Sequence, residues 1–343
     1  MKDWAISRRF SALLLALVMA LSLFVLPLVG CRSAGAKDEG VAEATEGENE
    51  GQTTEGSRAP VGPVTFTDDL GTQITVDDPQ RVVCGLSSFA ETWQLAGGSV
   101  IAVPDDALTQ THLTFSPDIA TIGAFNAPNL EAIVALEPDL VLLSAATPQQ
   151  LELQASLTEI GIPVAFFEVT HFEDYLRMLK VCTDITGRSD LYELNGLATQ
   201  ERIDALKAQV PATTAQGEKP RAIFLITYSQ GTRVQDGTTM PGRMLVDLGC
   251  VNIADENPSL LKDFSLEALI EEDPDFIFLL PLGNDPEAAK RNLDAAVEGN
   301  PAWENVSAVK SGNYITVDAE HFSYKPCNRW DASYQILLDI LYR

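Results

Sequence analysis

Aromatic and polar side chains stand in the segments that directly follow the predicted strands of this chain. In open sheets of parallel strands, ligands bind beyond the carboxyl ends of the strands, so these segments are candidate ligand contacts. Aromatic walls with a few oriented polar groups suit an organic ligand. The predicted contacts are Ser87, Ser88, Phe125 and Asn126 in the first half, and Tyr228, Gln230, Arg243, His321, Phe322, Tyr324 and Lys325 in the second half.

Cations near these segments stand out because the chain is strongly acidic. It carries 23 Lys and Arg against 49 Asp and Glu, a formal net charge of -26. Arg243, Lys325 and Arg329 could pair with carboxylates of a ligand through charge-assisted hydrogen bonds, or each could be an ordinary surface or helix-end cation. The acidic balance repels a polyphosphate backbone, so nucleic acid is excluded as a partner.

Motifs of catalysis and of resident metals are missing from the sequence. G-x-S-x-G, G-x-x-x-x-G-K-S/T, G-x-G-x-x-G and H-E-x-x-H do not occur, and the three histidines are widely separated. The chain is therefore predicted to bind rather than catalyse, without an intrinsic cofactor or metal site; an extracellular hydrolase is the alternative. Spacing alone does not decide between free thiols and the pairs Cys84 with Cys182 and Cys250 with Cys327.

Apolar runs alternate with helical patterns from residue 64 onward, which predicts an α/β fold of mostly parallel sheets covered by helices. An antiparallel hairpin opens the pattern at residues 64–76. Two complete alternations, over 64–188 and 212–343, predict two Rossmann-like lobes with a cleft between them. Residues 189–211 have helical spacing up to Pro211, so they are predicted to form one long helix that joins the lobes rather than an ordinary surface helix.

A repeated segment supports the division into two related lobes. Residues 129–142 and 265–278 share a capping residue, then Leu-Glu-Ala, then Pro-Asp, then an apolar strand. Asn129 and Ser265 are predicted helix N-caps, and each helix should end before its proline. Glu131 and Glu267 therefore occupy matching places in the first turns of two helices, where a carboxylate complements the helix dipole.

The N-terminus has the features of an export signal. Lys2, Arg8 and Arg9 precede an apolar run that ends at Leu28-Val29-Gly30-Cys31. This order resembles the lipobox of bacterial lipoproteins, which implies a signal peptide over 1–30 and a lipid anchor on Cys31; an uncleaved membrane-spanning helix is the weaker alternative. Residues 31–63 are rich in Gly, Ala, Thr and Glu and are predicted to be a flexible acidic tether. Both alternatives place the rest of the chain outside the cytoplasm, attached to the cell membrane.

From about residue 64 to 343, the chain resembles the substrate-binding lipoproteins of ABC importers that have two Rossmann-like lobes and one long hinge helix. The resemblance rests on the opening hairpin, Pro-x-Arg-Val-Val at 79–83, Ala-Gly-Gly at 96–98, Ile-Gly before Asn-Leu-Glu, and Leu-Gly-Cys-Val-Asn-Ile at 248–253. It implies a monomeric receptor that delivers its ligand to permease subunits with an associated ATPase. Paired glutamates of this family dock onto arginines of the permease, and this role falls on Glu131 and Glu267.

The resemblance implies an iron-siderophore, haem or cobalamin as ligand and leaves the choice among them open. Haem would need an axial ligand, which His321 or Tyr228 could supply, and His112 could also reach the cleft. His321 and Tyr228 are predicted metal ligands only if the ligand is haem. A tethered sensor that detects a ligand without transporting it is a further alternative.

Overall fold

Residues 62–212, 217–262, 264–283, 285–298 and 300–342 are described by the computed structural model. The predicted signal peptide, the predicted anchor Cys31 and nearly all of the predicted tether lie outside these residues. Within the described ranges, no helix combines the length and the apolar character needed to cross a membrane.

Two mainly parallel sheets form the framework, and each takes its strands from a different half of the chain. The inner strands are continuous buried apolar runs, as expected where both faces of a sheet are covered. In chain order, the strands of the described residues are β1 (Val64–Thr67), β2 (Gln73–Val76), β3 (Val82–Cys84), β4 (Val100–Val103), β5 (Ala120–Thr121), β6 (Gly123–Ala124), β7 (Ala127–Pro128), β8 (Leu140–Ser144), β9 (Val164–Phe167), β10 (Arg221–Tyr228), β11 (Gly231–Gln235), β12 (Val251–Asn252), β13 (Phe276–Pro281) and β14 (Tyr314–Thr316).

The first sheet has the strand order β5-β4-β3-β8-β9, and all of its neighbouring strands are parallel. The second sheet has the order β11-β10-β13-β14, and β12 pairs with the start of β10. In it, only β11 runs antiparallel to its neighbour, as the second arm of a hairpin. The β1-β2 and β6-β7 hairpins are separate two-stranded sheets.

Helices pack against both sheets and connect their strands. Short 3₁₀ turns lie at Asp105–Thr109, Trp303–Asn305 and Cys327–Arg329. In chain order, the α-helices of the described residues are α1 (Ser87–Leu95), α2 (Leu130–Ala135), α3 (Pro148–Leu151), α4 (Gln154–Glu159), α5 (Phe172–Thr186), α6 (Ser189–Tyr192), α7 (Ala198–Lys207), α8 (Met240–Asp247), α9 (Ile253–Glu256), α10 (Ser259–Lys262), α11 (Leu266–Glu272), α12 (Pro286–Glu298), α13 (Ser307–Lys310), α14 (Ala319–Phe322) and α15 (Trp330–Leu341).

The segment between the two sheets is helical from Ser189 to Lys207, but it is not a regular α-helix throughout. α6 passes into a π-helical turn at Glu193–Leu197, and the helix continues as α7. Asn195 in this turn is buried. Its Nδ2 donates to the carbonyl of Leu95 in the first half, and its Oδ1 accepts from Asn328 Nδ2 in the second half. This helical run, which we call the joining helix, is therefore hydrogen-bonded to both halves.

One cluster of buried side chains extends from the first sheet past the joining helix to the second sheet. Phe172 at the start of α5 packs edge to face against Trp330 at the start of α15, with ring centroids 6.0 Å apart. Both side chains are almost completely buried. The halves therefore meet over a packed apolar interface and not only through the joining helix.

Two local features differ from the sequence prediction. Strand β11 is not predicted; Gly231, at a φ of 149°, completes a tight turn after β10 and lets the chain pair back on itself. The single helix predicted over 148–160 is divided into α3 and α4. The fully buried Gln150 fixes α3 to the strand ends, because its amide binds the Ser144 N–H and the Gly85 carbonyl.

Candidate binding cleft

An ion pair crosses between the two halves at the base of the cleft. Glu91 lies on α1 in the first half, and Arg329 lies just before α15 in the second half. Arg329 Nη1 donates to Glu91 Oε1, and Arg329 Nη2 donates to Glu91 Oε2 at 3.3 Å. Burial works to lower the pKa of the Arg329 guanidinium, but the hydrogen bond and charge of Glu91, together with smaller contributions from Cys327 and Glu320, outweigh it and raise that pKa. The Arg329 guanidinium therefore stays protonated.

His112 extends this pair into a network. Its Nε2 lies 3.5 Å from Glu91 Oε2, and its Nδ1 lies 3.6 Å from Glu320 Oε1. Arg329 Nε lies 3.8 Å from the same Glu320 oxygen. We call Glu91, His112, Glu320 and Arg329 the bridging network. His112 thus reaches the cleft and contacts one carboxylate from each half.

Ser87 and Ser88 begin α1, and both are buried beside the bridging network. Ser87 Oγ accepts from Gln110 Nε2 at 2.8 Å. The Ser88 carbonyl accepts from Cys327 Sγ of the second half at 3.4 Å, and burial raises the pKa of the Cys327 thiol well above its ordinary value. The two serines therefore belong to the packed base of the cleft and offer little surface to a ligand.

Exposed aromatic side chains stand on both halves. Phe125 and Asn126 form the tip of the β6-β7 hairpin and are exposed. This hairpin packs against the Asp105–Thr109 turn, and Thr109 lines a cavity of about 170 Å³. The exposed Tyr324 lines the same cavity from the second half, together with His112 and Glu320 of the bridging network. The structure thus brings Tyr324 next to His112 and places Phe125 on a neighbouring element.

Tyr228 and Gln230 belong to the β10-β11 hairpin, away from that cavity. Tyr228 lines a separate space of about 370 Å³ with Phe264 and Asn292. The guanidinium of Arg233 lies over the Tyr228 ring, 5.8 Å from its centroid. Gln230 is exposed in the turn. These two predicted ligand contacts therefore face a different part of the second half from Tyr324.

His321 and Phe322 lie on α14, and both are engaged within the protein. Nδ1 of His321 lies 2.9 Å from Asp318 Oδ1, and the His321 N–H donates to the same oxygen at 3.0 Å. Burial acts to raise the pKa of the Asp318 carboxyl, but the His321 bonds outweigh it and lower that pKa. Phe322 is 1% exposed and packs on Phe224, with centroids 5.7 Å apart. Phe322 is therefore a core residue beneath the cleft.

The three cations singled out by the sequence have different surroundings. Arg243 Nε binds Asp247 Oδ1 at 2.9 Å, and Arg329 is held by Glu91. Lys325 lines a cavity of about 240 Å³ between the halves. Among the described residues, nothing forms a hydrogen bond or an ion pair with its ammonium group. Lys325 is therefore the one of the three whose charge is not already matched by a carboxylate partner.

The cysteines of the folded part are free and buried. Cys84 and Cys182 lie in the same core cluster, and Cys182 raises the pKa of the Cys84 thiol further, after burial. Cys327 contacts Ser88 at the cleft. Burial, with a smaller contribution from the charge of Asp275, raises the pKa of the Cys250 thiol to about 12. Neither of the two pairings considered from the sequence is formed.

Glu131 and Glu267 are exposed in the first turns of α2 and α11. The side chains of Asn129 and Ser265 accept from the backbone N–H three residues later, at 3.1 and 3.2 Å, so both predicted N-caps are confirmed. Because the caps occupy the same position in the two helices, the two glutamates project from equivalent helix turns. Each carboxylate is thus available to a partner.

Comparison with known proteins identifies the class of this two-sheet arrangement. A family model described as periplasmic binding protein matches residues 82–321. The chain belongs to this family. The Fe(3+)-citrate-binding protein YfmC of Bacillus subtilis is 24% identical over 317 residues, 91% of this chain and 92% of YfmC. A cobalamin-binding protein of Halobacterium salinarum is 26% identical over 79% of this chain and 72% of that protein.

Solved structures agree on the fold of this periplasmic binding protein. Staphylococcus aureus SirA, solved in complex with staphyloferrin B, aligns with a TM-score of 0.63 at 20% identity, over 81% of this chain and 97% of SirA. The predicted α/β fold with two Rossmann-like lobes joined by a helix is confirmed, and the two halves can be called lobes. The family consists of binding proteins, which favours the receptor over the hydrolase considered from the sequence.

Two residues of the bridging network were missed by sequence reasoning. Glu91 lies in Phe-Ala-Glu-Thr-Trp, a helix whose other side chains are mostly buried, so a carboxylate there needs a charged partner. That was the available signal. Glu320 precedes His321, which was predicted as a ligand contact. Nothing in the local sequence distinguishes Glu320 from a solvated helix-end carboxylate. Its role follows only from the approach of His112 from the other lobe.

Proposed function

We propose that this chain is the extracytoplasmic receptor of an ABC importer, anchored by a lipid on Cys31, and that it acts as a monomer. It captures an iron-siderophore, haem or cobalamin-type chelate between its lobes and delivers it to permease subunits served by an ATPase. The bridging network carries this proposal, because it brings a charged base and the exposed Tyr324 together where the two lobes meet. The known ligands of the relatives, ferric citrate and cobalamin, support the chelate class.

Aromatic and charged groups divide the work of binding. Phe125 and Tyr324 are exposed, one on each lobe, and can stack on the organic shell of a chelate. Glu91 and Arg329 neutralise each other at the base, so their pair favours a fixed lobe arrangement more than it attracts a charged cargo. The chelate is therefore captured by aromatic stacking between two lobes whose relative position is already fixed.

Docking onto the permease uses both lobes at once. Glu131 and Glu267 are exposed on equivalent helix turns, and each lies on a different lobe. Paired carboxylates at a fixed spacing fit paired arginines on a two-subunit permease. The repeated segments thus supply a two-point contact that one lobe alone could not make.

Fluorescence titration tests the proposed cargo class. Trp93 and Trp330 are buried near the base of the cleft, so haemin, cobalamin and a panel of ferric siderophores should quench their emission on binding, with a Soret band marking haemin. We expect one of these chelates to bind with a Kd below about 1 µM, and Tyr324→Ala to weaken it several-fold through loss of stacking. Leu194→Ala, an exposed position on the joining helix, is the matched control. Failure of every chelate to quench would reject the cargo class.

A further inference from the structure

The cavity beside Lys325 has the chemistry of a site for a negatively charged group. Val169 and Thr170 of the first lobe form one wall, and residues of β10, β11, α8 and α14 form the rest. Thr170, Thr238, Ser323 and Gln235 are its polar lining residues, and of these the Thr238 hydroxyl already donates to Asp236 Oδ1 at 2.6 Å. At about 240 Å³, the cavity admits a small arm of a ligand and not a whole metal chelate.

Two positive features converge on this space. Lys325 lines it and has no hydrogen-bonding or ionic partner among the described residues. The first residues of α8 also line it, and no side chain caps that helix, because Thr239 Oγ1 donates to the Asp236 carbonyl instead. A helix N-terminus carries a partial positive charge and free N–H groups. The ammonium and the helix end therefore favour an anion in the same place.

Lys325 is held in an energetically unfavourable backbone conformation. Its φ is 56°, in the left-handed region that non-glycine residues seldom adopt, and Cys327 two residues later has a φ of 53°. Such backbone conformations persist only where the surrounding structure enforces them. The Cys327 contact with Ser88 of the other lobe is one such constraint. The turn that presents Lys325 is therefore set by the packing between the lobes.

The charges around the cavity decide what kind of anion it takes. Burial lowers the pKa of the Lys325 ammonium, while the exposed carboxylate of Glu168 acts in the opposite direction without forming an ion pair. A neighbouring cavity of about 440 Å³ shares Thr170 and Thr238, but its Arg177 is already bound by Asp69 and Asp174. One unmatched positive charge suits a ligand arm that places a single carboxylate in the cavity, as one arm of citrate would, better than a phosphate group, which carries about 1.5 to 2 negative charges at pH 7.

We propose that the Lys325 cavity binds a carboxylate arm of the cargo, with the Lys325 ammonium as its counter-ion and the hydroxyls of Thr170 and Ser323 as further donors. This assignment rests on the proposed receptor function and specifies the class of chelate, one that carries a free carboxylate. The arm enters between the lobes, so its binding also adds contacts that join them. The Arg243 and Arg329 guanidinium groups take no part, because Asp247 and Glu91 already bind them.

Calorimetric titration with citrate tests the site without knowledge of the cargo. Wild-type protein is expected to bind citrate at one saturable site, and Lys325→Gln to weaken it at least tenfold. Lys310→Gln, an exposed lysine at the end of α13, should leave the affinity unchanged. Glu168→Gln removes the competing carboxylate and should tighten citrate binding several-fold. Glu168 lies at an exposed position, so the Glu168→Gln variant still tests the site if Lys325→Gln does not fold.

The outcomes separate this site from the receptor function as a whole. No citrate binding, equal binding by Lys325→Gln, or tighter binding of inorganic phosphate than of citrate overturns the carboxylate site. Chelate binding measured by fluorescence on the same proteins reports the receptor function separately. If ferrichrome, an uncharged ferric chelate without a carboxylate, bound most tightly of the panel and was insensitive to Lys325→Gln, the receptor function would stand and the carboxylate assignment would fall.

Discussion

Asp247 joins three elements through a single carboxylate. Lys207 Nζ at the end of the joining helix, Tyr334 OH on α15 and Arg243 Nε on α8 lie 2.8, 2.7 and 2.9 Å from its oxygens. Burial acts to raise the pKa of Asp247, but the three donors outweigh it and hold that pKa below its usual range. The carboxylate is therefore stabilised in its charged form in the folded state.

Asp247→Asn should lower the free energy of unfolding at neutral pH by about 2 kcal/mol, because it leaves two cations without their partner. Since the folded-state pKa is lowered, the stabilisation is present above the unfolded Asp pKa of about 3.9 and is lost as the pH falls through the lower folded value. Urea unfolding at pH 7 and at pH 3 checks this. The difference between variant and wild type should shrink at the lower pH.

The matched control for this prediction is Asp184→Asn. Asp184 forms an ion pair with Lys180 on α5 in which both side chains are about half exposed, so its loss should change stability by less than about 0.5 kcal/mol. An equal effect of the two substitutions would show that Asp247 contributes no more than an ordinary surface charge.

The sequence predicted for some residues that they lie at the cleft, and their role in ligand binding stays a prediction. Tyr324 and Lys325 follow β14 as expected for ligand-facing positions, and both line cavities between the lobes. Phe322, two residues before Tyr324, is instead buried against Phe224. Residues so close in sequence differ because their environment is set by contacts with other strands and the opposite lobe, which the local sequence does not encode.

The joining helix depends on one buried amide. Asn195 in the π-helical turn binds the Leu95 carbonyl at 2.9 Å and the Asn328 side chain at 3.0 Å, one from each lobe. π-Helical turns are rare and often lie at functional sites. A buried polar side chain that bridges two lobes fixes how they meet, because its partners would lose their hydrogen bonds if the lobes shifted.

Asn195→Ala should therefore destabilise the protein by about 1 to 3 kcal/mol, because it leaves the Leu95 carbonyl and the Asn328 amide without a partner. Thermal unfolding checks the loss, and hydrogen exchange should rise at the π-helical turn before it rises in either sheet. Gln200→Ala on the neighbouring turn of α7 is the control, since that side chain binds only Asp204 on its own helix. Unchanged exchange in the Asn195 variant would contradict a bridging role.

The sequence predicted which segments form helices and strands more accurately than it predicted irregularities within them. The N-caps Asn129 and Ser265, the helices α2 and α11, and the strands that follow them lie where the repeated segments predict them. The π-helical turn was not predictable, because helical spacing of apolar residues is similar with or without one extra residue in a turn. Strand β11 was missed because its pairing depends on a turn formed at Gly231.

At the scale of the whole molecule, the proposed docking through two exposed glutamates requires both lobes to be presented at a fixed spacing. Glu131→Lys and Glu267→Lys should each reduce stimulation of the cognate permease and ATPase in vesicles at least tenfold, about 1.4 kcal/mol, because each places like charges opposite each other. Cargo affinity should not change. Transport and ATPase assays on reconstituted vesicles measure both quantities.

Glu159→Lys on α4 and Glu271→Lys on α11 control for the change of net charge, since both positions are exposed and neither lies in the first turn of the repeat. These controls should stimulate the ATPase as wild type does. If all four reversals act alike, the effect comes from net charge and the docking role of the two glutamates is wrong.

Within the described residues, the opening hairpin is fastened to the first lobe by hydrogen bonds and an ion pair. The Asp68 carboxylate and the Asp69 N–H bind the backbone of Phe166 on the edge strand β9, at 3.0 and 2.9 Å, and Asp69 also holds Arg177 of α5. A pulling force applied through the chain before Val64 therefore enters the molecule at β9 and is borne by the first lobe. The second lobe carries none of that load directly and receives it only across the packed interface and the joining helix.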